Sequence, residues 1–467
     1  MTPVFDAVRF SAVALDVVAA GQSTRDAIAA RQRARLLRLL KAAAQGSSLF
    51  RARLKGVSAE TLDLAAIPFV TKHELMQRFD EWVSDPALTL PELQEFLANP
   101  AFIATPYLGK YIVWESSGSG GLPGVFVQDA GTMATYDALE ALRRSDPQRP
   151  QRWLDPLGLS ERTAFVAATG GHFASFVSVQ RLRQLNPWMA QTIRCFSILQ
   201  PTSALIAELN EFSPTIIATY PTVAALLAEE ALRGSLHFRP REVLTGGETL
   251  TPAVRHRVEL LLGATVRNNY GASEFLSIAW ECAHGHMHVN TDWVILEPVD
   301  EKHKPVPPGE RSYSCLLTNL ANTVQPLIRY DLSDQITVSP ALCACGSPLP
   351  VIEVVGRTDD ALMMQGNDGG TVTLLPLALT TVLEELADLF DFQLRQIDRS
   401  TLELNLQGTG KEGAAGWERG CGVLQSFAHS QGLAPIKIIG GSGVALPRGR
   451  SGKVQRIIAS RQKKPSR

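Results

Sequence analysis

A run of glycine and hydroxyl residues, Glu115-Ser116-Ser117-Gly118-Ser119-Gly120-Gly121-Leu122-Pro123-Gly124, has the most evident chemical use in this chain. Glycines let backbone N–H groups converge on an anion, and the serine hydroxyls add donors that a phosphate accepts. No Gly-Lys-Ser/Thr opens a helix after it, so it is not a Walker-type loop. Four further stretches place polar groups beside apolar runs. Tyr270-Gly271-Ala272-Ser273-Glu274 joins an aromatic ring, a hydroxyl and a carboxylate. Ile328-Arg329-Tyr330-Asp331-Leu332-Ser333-Asp334 sets an acid after an apolar strand. Gly356-Arg357-Thr358-Asp359-Asp360 is a turn between apolar runs and a candidate hinge, and the basic stretch from Pro447 to Arg456 carries Lys453. Each alone reads as turn chemistry or a solvated charge face. Together, in this order, they are too many for coincidence.

A second constellation has metal-binding residue types. Glu281-Cys282-Ala283-His284-Gly285-His286-Met287-His288 is followed at a distance by Cys343-Ala344-Cys345-Gly346. Thiolates and imidazoles in a tetrahedral array make a structural zinc set, and a Cys-x-Cys-Gly turn lets two sulfurs face one ion. The plain alternative is buried free cysteines beside surface histidines.

These groups need elements to hold them. Tyr111-Ile112-Val113-Trp114 and Val125-Phe126-Val127 read as two buried strands around the glycine-rich loop. From Ser203 to Gly271 strands and helices alternate. Strands are expected over 214–220, 242–245 and 264–267, with helices from Pro221 to Arg233 and after Thr251-Pro252, the latter stopped by Gly263. Such alternation builds a parallel sheet flanked by helices, with ligands at the C-terminal strand ends, where Gly246-Gly247-Glu248 and Asn268 to Gly271 fall. Helices are also expected over 11–20, over 23–45 and after Thr71, an N-cap that follows the break Ile67-Pro68-Phe69-Val70. The glycine-rich stretch 407–422 reads as a loose surface loop in a small final domain.

The bulk numbers exclude several classes. A chain of 467 residues with 45% hydrophobic content buries a large core. Its 45 basic and 46 acidic residues nearly cancel, which argues against nucleic acid or an anionic membrane as partner. No apolar stretch reaches spanning length, and Asp6 and Asp16 break the pattern of a signal peptide. Six cysteines make no disulfide scaffold, so a reducing cytoplasm is the expected compartment.

Through its ordered motifs, from about Ile67 to Arg456, the chain resembles the adenylate-forming superfamily of acyl-CoA synthetases, and within it the phenylacetate–CoA ligase-like branch. The resemblance implies an α/β fold. A large N-terminal adenylate-forming domain, residues 1–356, would hold parallel sheets flanked by helices and a zinc-stapled segment 282–345. A small mobile α+β C-terminal domain, residues 357–467, would carry the catalytic lysine. It implies activation of a carboxylic acid by ATP and Mg²⁺ to an acyl-adenylate, then transfer to the thiol of coenzyme A. Ser116, Ser117, Gly118, Ser119, Gly120 and Gly121 would grip the phosphates. Gly246, Gly247 and Glu248 would line the adenine pocket with Tyr270, which stacks, and Gly271. Ser273 would meet the α-phosphate, Glu274 would hold Mg²⁺, and Asp334 the ribose, with Arg357 nearby. Asp359 would be the hinge, and Lys453 would bridge carboxylate and α-phosphate. The structural zinc would sit on Cys282, His288, Cys343 and Cys345, with His284 and His286 as spares. The chain departs from many relatives at Leu122, where they have lysine, and at Asp331-Leu332-Ser333-Asp334, where Arg-Thr-Gly-Asp is usual.

For the acid, Tyr136, His172, Phe173, Phe176, Tyr220 and Ala272 make a pocket suited to a flat ring, hence an aryl or arylacetic acid. A homodimer is compatible with this reading. Two other functions compete: an acyl-[acyl-carrier-protein] ligase, which differs only in the acceptor thiol, and a non-catalytic nucleotide-binding scaffold. The joint presence of Glu274, Asp334, Arg357 and Lys453 argues against the scaffold.

Overall fold

The structure, a computed structural model, describes residues 4–56, 64–116, 123–143, 161–355, 361–389, 392–447 and 455–459. Helices open the chain. Ala7–Gly21 starts where Asp6 accepts from the Arg9 N–H, and buries Val13, Val17 and Ala20. Arg25–Gly46 starts at Thr24, whose hydroxyl accepts from Ala27 N. Both match the expected helices, as does Lys72–Gln77, capped by Thr71. Strands β1 (Ile112–Glu115) and β2 (Val125–Gln128) pair as an antiparallel hairpin with Trp114 opposite Phe126. Six of these eight residues are apolar, and all but Glu115 are fully buried, so the hairpin is anchored in the core.

The alternating region builds half of a nine-stranded sheet. Its strands are β3 (Thr163–Ala167), β4 (Ile193–Ser197), β5 (Ile216–Thr219), β6 (Glu242–Thr245), β7 (Thr265–Ala272), β8 (Phe275–Glu281) and β9 (Met287–Val289). A three-stranded sheet follows, made of β10 (Val294–Val299), β11 (Ser314–Asn319) and β12 (Tyr330–Asp331). Strands β13 (Gln335–Val338) and β14 (Val351–Val355) return to the large sheet, whose order is β13-β14-β9-β8-β7-β6-β5-β3-β4. From β4 to β7 all pairs are parallel, joined by crossover helices that include Pro221–Leu232 and Pro252–Leu262. From β7 to β13 all pairs are antiparallel, so the sheet is mixed rather than purely parallel. Strand β7 joins the two halves. It also runs further than its apolar part suggests, because its polar end, Asn269 and Tyr270, is paired with Trp280 and Ala279 of β8.

In the C-terminal part, β15 (Leu362–Gln365) and β16 (Thr371–Leu374) form a hairpin before helix Pro376–Ala387. A four-stranded sheet contains β17 (Phe392–Gln396), β18 (Thr401–Leu406), β19 (Lys437–Gly441) and β20 (Ile457–Ile458), in the order β19-β18-β17-β20. The expected loop over 407–422 is corrected here: residues from Gly410 to Ser430 are a 21-residue helix. Its glycines are packing devices. A Cβ on Gly420 would lie 2.7 Å from a Leu389 methyl and 2.9 Å from one of Leu404, so the bare backbone lets the helix approach the sheet. The turn around Asp359, where the sequence divides 1–356 from 357–467, lies outside the described residues. Among the described residues no helix is long and apolar enough to cross a membrane.

Candidate functional site

The parallel strands deliver their C-terminal ends to one cavity of about 2350 Å³, bordered also by Glu115 and Ser116 at the end of β1. At its rim Gly247 takes φ +77°, and a Cβ there would stand 3.2 Å from the Tyr220 ring. Only glycine suits that backbone without strain. Glu248 turns back to the next helix, accepting from Thr222 N at 3.0 Å and from Thr222 Oγ1 at 3.0 Å. The Gly246-Gly247-Glu248 turn is therefore held open towards the cavity by its own capping carboxylate.

The β7–β8 hairpin supplies the densest group of candidates. Tyr270 donates its hydroxyl to Asp334 Oδ2 at 2.9 Å, which joins two stretches that lie 64 residues apart. Burial, then the Asp334 charge, pushes the Tyr270 phenol well above its usual range. Gly271 makes the turn possible, since a Cβ there would lie 1.9 Å from Leu276 O. Trp114 Nε1 donates to Ser273 O at 2.9 Å, tying the hairpin to β1. Asn319 Nδ2 reaches Glu274 O at 3.0 Å and the Tyr136 hydroxyl at 2.9 Å. The buried Glu274 carboxyl is raised above the usual carboxylate range by desolvation, against which the Tyr330 hydroxyl, donating to it, and the Lys72 charge both act. Asp331 is held by Ser314 Oγ and by Ser333 N, so its carboxylate shapes the turn that presents Asp334.

The sequence-derived residues divide clearly. Ser116, Gly246, Gly247, Glu248, Tyr270, Gly271, Ala272, Ser273, Glu274 and Asp334 all border the cavity, with Tyr136, Phe173 and Tyr220. Neither His172 nor Phe176 is on its wall: both are buried, and His172 Nε2 lies 3.1 Å from Asn99 O. Ser117, Gly118, Ser119, Gly120, Gly121, Arg357, Asp359 and Lys453 lie outside the described residues. Sequence reasoning gave no role to Lys72, Glu115, Asn319 or Tyr330. Asn319, a polar residue ending the buried apolar strand β11, is the one with a legible signal.

The metal-type residues do converge. Ligand atoms of Cys282, His288, Cys343 and Cys345 lie within 4.8 Å of one another. Cys282 and Cys343 sulfurs are 3.8 Å apart, and Cys345 Sγ is 3.3 Å from His288 Nε2. Zinc–sulfur bonds of about 2.3 Å in a tetrahedron give sulfur–sulfur edges of about 3.8 Å, so the donor set fits that ion. His288 Nδ1 faces Leu349 O at 2.9 Å, which fixes the tautomer and leaves Nε2 for a metal. His286 Nδ1 is 3.2 Å from Cys343 Sγ, a fifth group at the edge of the cluster.

A third cluster lies where the C-terminal helix Pro376–Ala387 meets the end of β1. Cβ atoms on Gly170 and Gly171 would stand 2.7 and 2.4 Å from the Glu385 carboxylate oxygens. Glu115 sits beside the same turn through Glu115 N donating to His172 O at 2.9 Å. Burial, then repulsion by Glu384, raises Glu115 to about 7, and burial, then Glu115, raises Glu385 to about 7. Arg456 pairs with Glu384, the acid whose charge acts on both.

No family model matches the chain. Phenylacetate–coenzyme A ligase of Thermus thermophilus is 29% identical over 193 residues, 39% of this chain and 42% of that protein. Protein CapK of Staphylococcus aureus is 27% identical over 177 residues, 37% of each. The matches thus span less than half the length of these relatives. Among solved structures, 2-hydroxyisobutyryl-CoA ligase with its acyl-AMP and CoA superposes with a TM-score of 0.60 at 19% identity, covering 94% of this chain and 91% of that one. The same ligase in its postadenylation state gives a TM-score of 0.54 at 20% identity over 92% and 89%. That likeness is one of fold: the α/β architecture of adenylate-forming CoA ligases.

Proposed function

The chain belongs to the adenylate-forming superfamily of acyl-CoA synthetases, in its phenylacetate–CoA ligase-like branch, and from that premise we propose that it is an AMP-forming acid–CoA ligase. It would activate a carboxylic acid with ATP to an acyl-adenylate, release pyrophosphate, and pass the acyl group to coenzyme A. The observation that carries this reading is the Tyr270–Asp334 hydrogen bond beside buried Glu274, on strand ends over one cavity. Attack of a carboxylate on the α-phosphorus brings anions together, so the site needs cations and N–H donors more than an acid or base. We assign Ser116 to Gly121 to the phosphates, and Gly246, Gly247, Glu248, Tyr270 and Gly271 to the adenine. Asp334 takes the ribose hydroxyls with Arg357 near, and Ser273 the α-phosphate. Glu274 would hold Mg²⁺, which when bound supplies positive charge at the phosphate oxygens.

Lys453 is proposed to neutralise the carboxylate and α-phosphate during adenylation. Asp359 would be the pivot between domains 1–356 and 357–467. Zinc on Cys282, His288, Cys343 and Cys345 would be structural. An aryl or arylacetic substrate is supported by Tyr136, Phe173, Tyr220 and Ala272 on the cavity wall. All six cysteines are free, in keeping with a cytoplasmic enzyme. The test is pyrophosphate release with ATP, Mg²⁺ and a panel of carboxylic acids, followed by thioester formation on adding CoA. An aromatic acid is expected to stimulate both steps, and a panel in which no carboxylate stimulates release would sink the reading.

A further inference from the structure

The turn that ends in Asp334 has a backbone that its own residue types do not favour. Arg329 and Ser333 both take left-handed conformations, at φ +52° and φ +54°. For a residue with a side chain that region is unfavourable, and it persists only where the surroundings impose it. Arg329 is held from several sides. Its Nε donates to Glu297 Oε1 at 3.1 Å, its N–H to Thr318 Oγ1 at 3.0 Å, and its carbonyl accepts from Val70 N at 3.0 Å. As far as Leu332, whose N–H donates to Cys315 O at 3.0 Å, the chain stays fastened to β11. At Ser333 a side chain takes over. Its N–H donates at 2.7 Å to Asp331 Oδ1, an oxygen that also accepts from Ser314 Oγ of β11. The other Asp331 oxygen lies 3.7 Å from Nε2 of His303, whose ring stacks on Phe69 with centroids 3.9 Å apart. One carboxylate thus ties the left-handed residue to β11, immediately before Asp334.

We propose that Asp331 is a positioning residue for nucleotide binding: by holding Ser333 in the left-handed conformation it fixes the backbone that presents Asp334 to the ribose hydroxyls. This inference rests on the acid–CoA ligase reading, in which Asp334 takes the ribose. Tyr270 orients the Asp334 carboxylate through Oδ2, while Asp331 sets the main chain from which that carboxylate projects. Without the tie Ser333 relaxes towards the conformations that an L-residue prefers. The fraction of molecules with Asp334 in place then falls, and the apparent affinity falls with it. The need is conditional on the side chain at 333. Glycine takes positive φ without support, so glycine there makes Asp331 dispensable.

The experiment is calorimetric binding of ATP and of 2′,3′-dideoxy-ATP, with Mg²⁺, to the full chain, to Asp331→Ala, to Asp331→Asn and to the double variant Asp331→Ala with Ser333→Gly. Asp331→Ala is expected to weaken ATP binding about 5- to 30-fold, the scale of an unsupported left-handed residue, and to leave dideoxy-ATP within about twofold. Asp331→Asn keeps an oxygen that accepts from Ser333 N, and the double variant no longer needs one. Both should bind ATP within about threefold of the wild type, a recovery that general loss of structure would not give. Wild-type ATP binding in a folded Asp331→Ala, equal loss of both nucleotides, or a double variant no better than Asp331→Ala overturns the assignment while the ligase reading stands. If Asp331→Ala alone does not fold, the double variant decides: ATP affinity near the wild type supports the role, and a second failure to fold overturns it. A wild-type chain that binds both nucleotides equally, or neither, removes the ribose role of Asp334 and the proposal with it.

Discussion

At the scale of single residues, the site is a set of acids held in place by neutral donors. Glu274 is buried, and burial alone would favour its neutral form. Its backbone is fixed by Asn319 and its carboxyl by Tyr330, so it is pre-set to receive a cation. Asp334 is similarly oriented by Tyr270. Charge-assisted contacts of this kind contribute about 1.5–3 kcal/mol, or roughly 10- to 100-fold in an equilibrium. If Glu274 holds Mg²⁺ and Asp334 the ribose as proposed, Glu274→Gln should raise the Mg²⁺ requirement for ATP use, and Asp334→Ala should weaken ATP use. ATP-dependent pyrophosphate release, measured against both ATP and Mg²⁺, checks this. Wild-type kinetics in both variants would show that these carboxylates do not serve the nucleotide.

Elements explain why those residues stay where they are. The cysteine–histidine cluster joins the end of β8, strand β9 and the connection between β13 and β14, all in the antiparallel half of the sheet. Metal there would staple the strands that continue from the Tyr270–Glu274 hairpin. We expect about one zinc per chain by elemental analysis. Cys343→Ser should lose it and lower the Tm by about 3 °C or more, the shift for ~2 kcal/mol in a domain of this size, with residual activity kept. Metal-free wild-type protein of undiminished stability would refute the staple. The helix Gly410–Ser430 allows a paired test of glycine in a helix. Gly422 is exposed with open space at its Cβ position, so Gly422→Ala should stabilise by about 0.5–1 kcal/mol. At Gly413 a Cβ would fall 2.4 Å from Gly408 O, a backbone atom, so Gly413→Ala should destabilise despite the better helix propensity. Urea unfolding of both variants decides it: a same-sign change in the two would mean the close approach is unimportant.

At the scale of the whole molecule, the C-terminal helix Pro376–Ala387 rests on the large sheet's side through acids. Glu115 and Glu385 are both raised to about 7 in the folded chain, against 4.5 for an ordinary glutamate. A raised carboxyl binds its proton more tightly when folded, so its contribution is full at pH below about 4.5 and is lost as pH rises through about 7. Glu385 keeps a solvent-facing side and is better screened, so Glu115 should dominate the effect. The contact should loosen as pH rises from about 4.5 through about 7, and Glu115→Gln should remove most of that dependence. Hydrogen exchange across residues 376–387, corrected for the intrinsic pH effect, measures it. A pH-independent contact in the wild type would mean that Glu115 is not desolvated at this contact in solution.

Local chemistry made much of this legible before folding was considered. Thr71 and Thr251 as caps, Gly263 as a stop and the alternation over 203–271 follow from rules that act within a few residues, and each is observed. The ordered motifs likewise pointed to a nucleotide site, because phosphate and ribose recognition need particular groups at the ends of strands. Tertiary structure decided what depends on distant partners. The polar end of β7 is strand because β8 pairs with it, and 410–430 is helix because its glycines meet Leu389 and Leu404. Lys72, Tyr330 and Asn319 reach the site only through pairings dozens to hundreds of residues apart, which no local spacing encodes. The facing of Glu115 by Glu384 and Glu385 belongs to the same class, since a carboxylate's neighbours across a fold are set by packing rather than by sequence order.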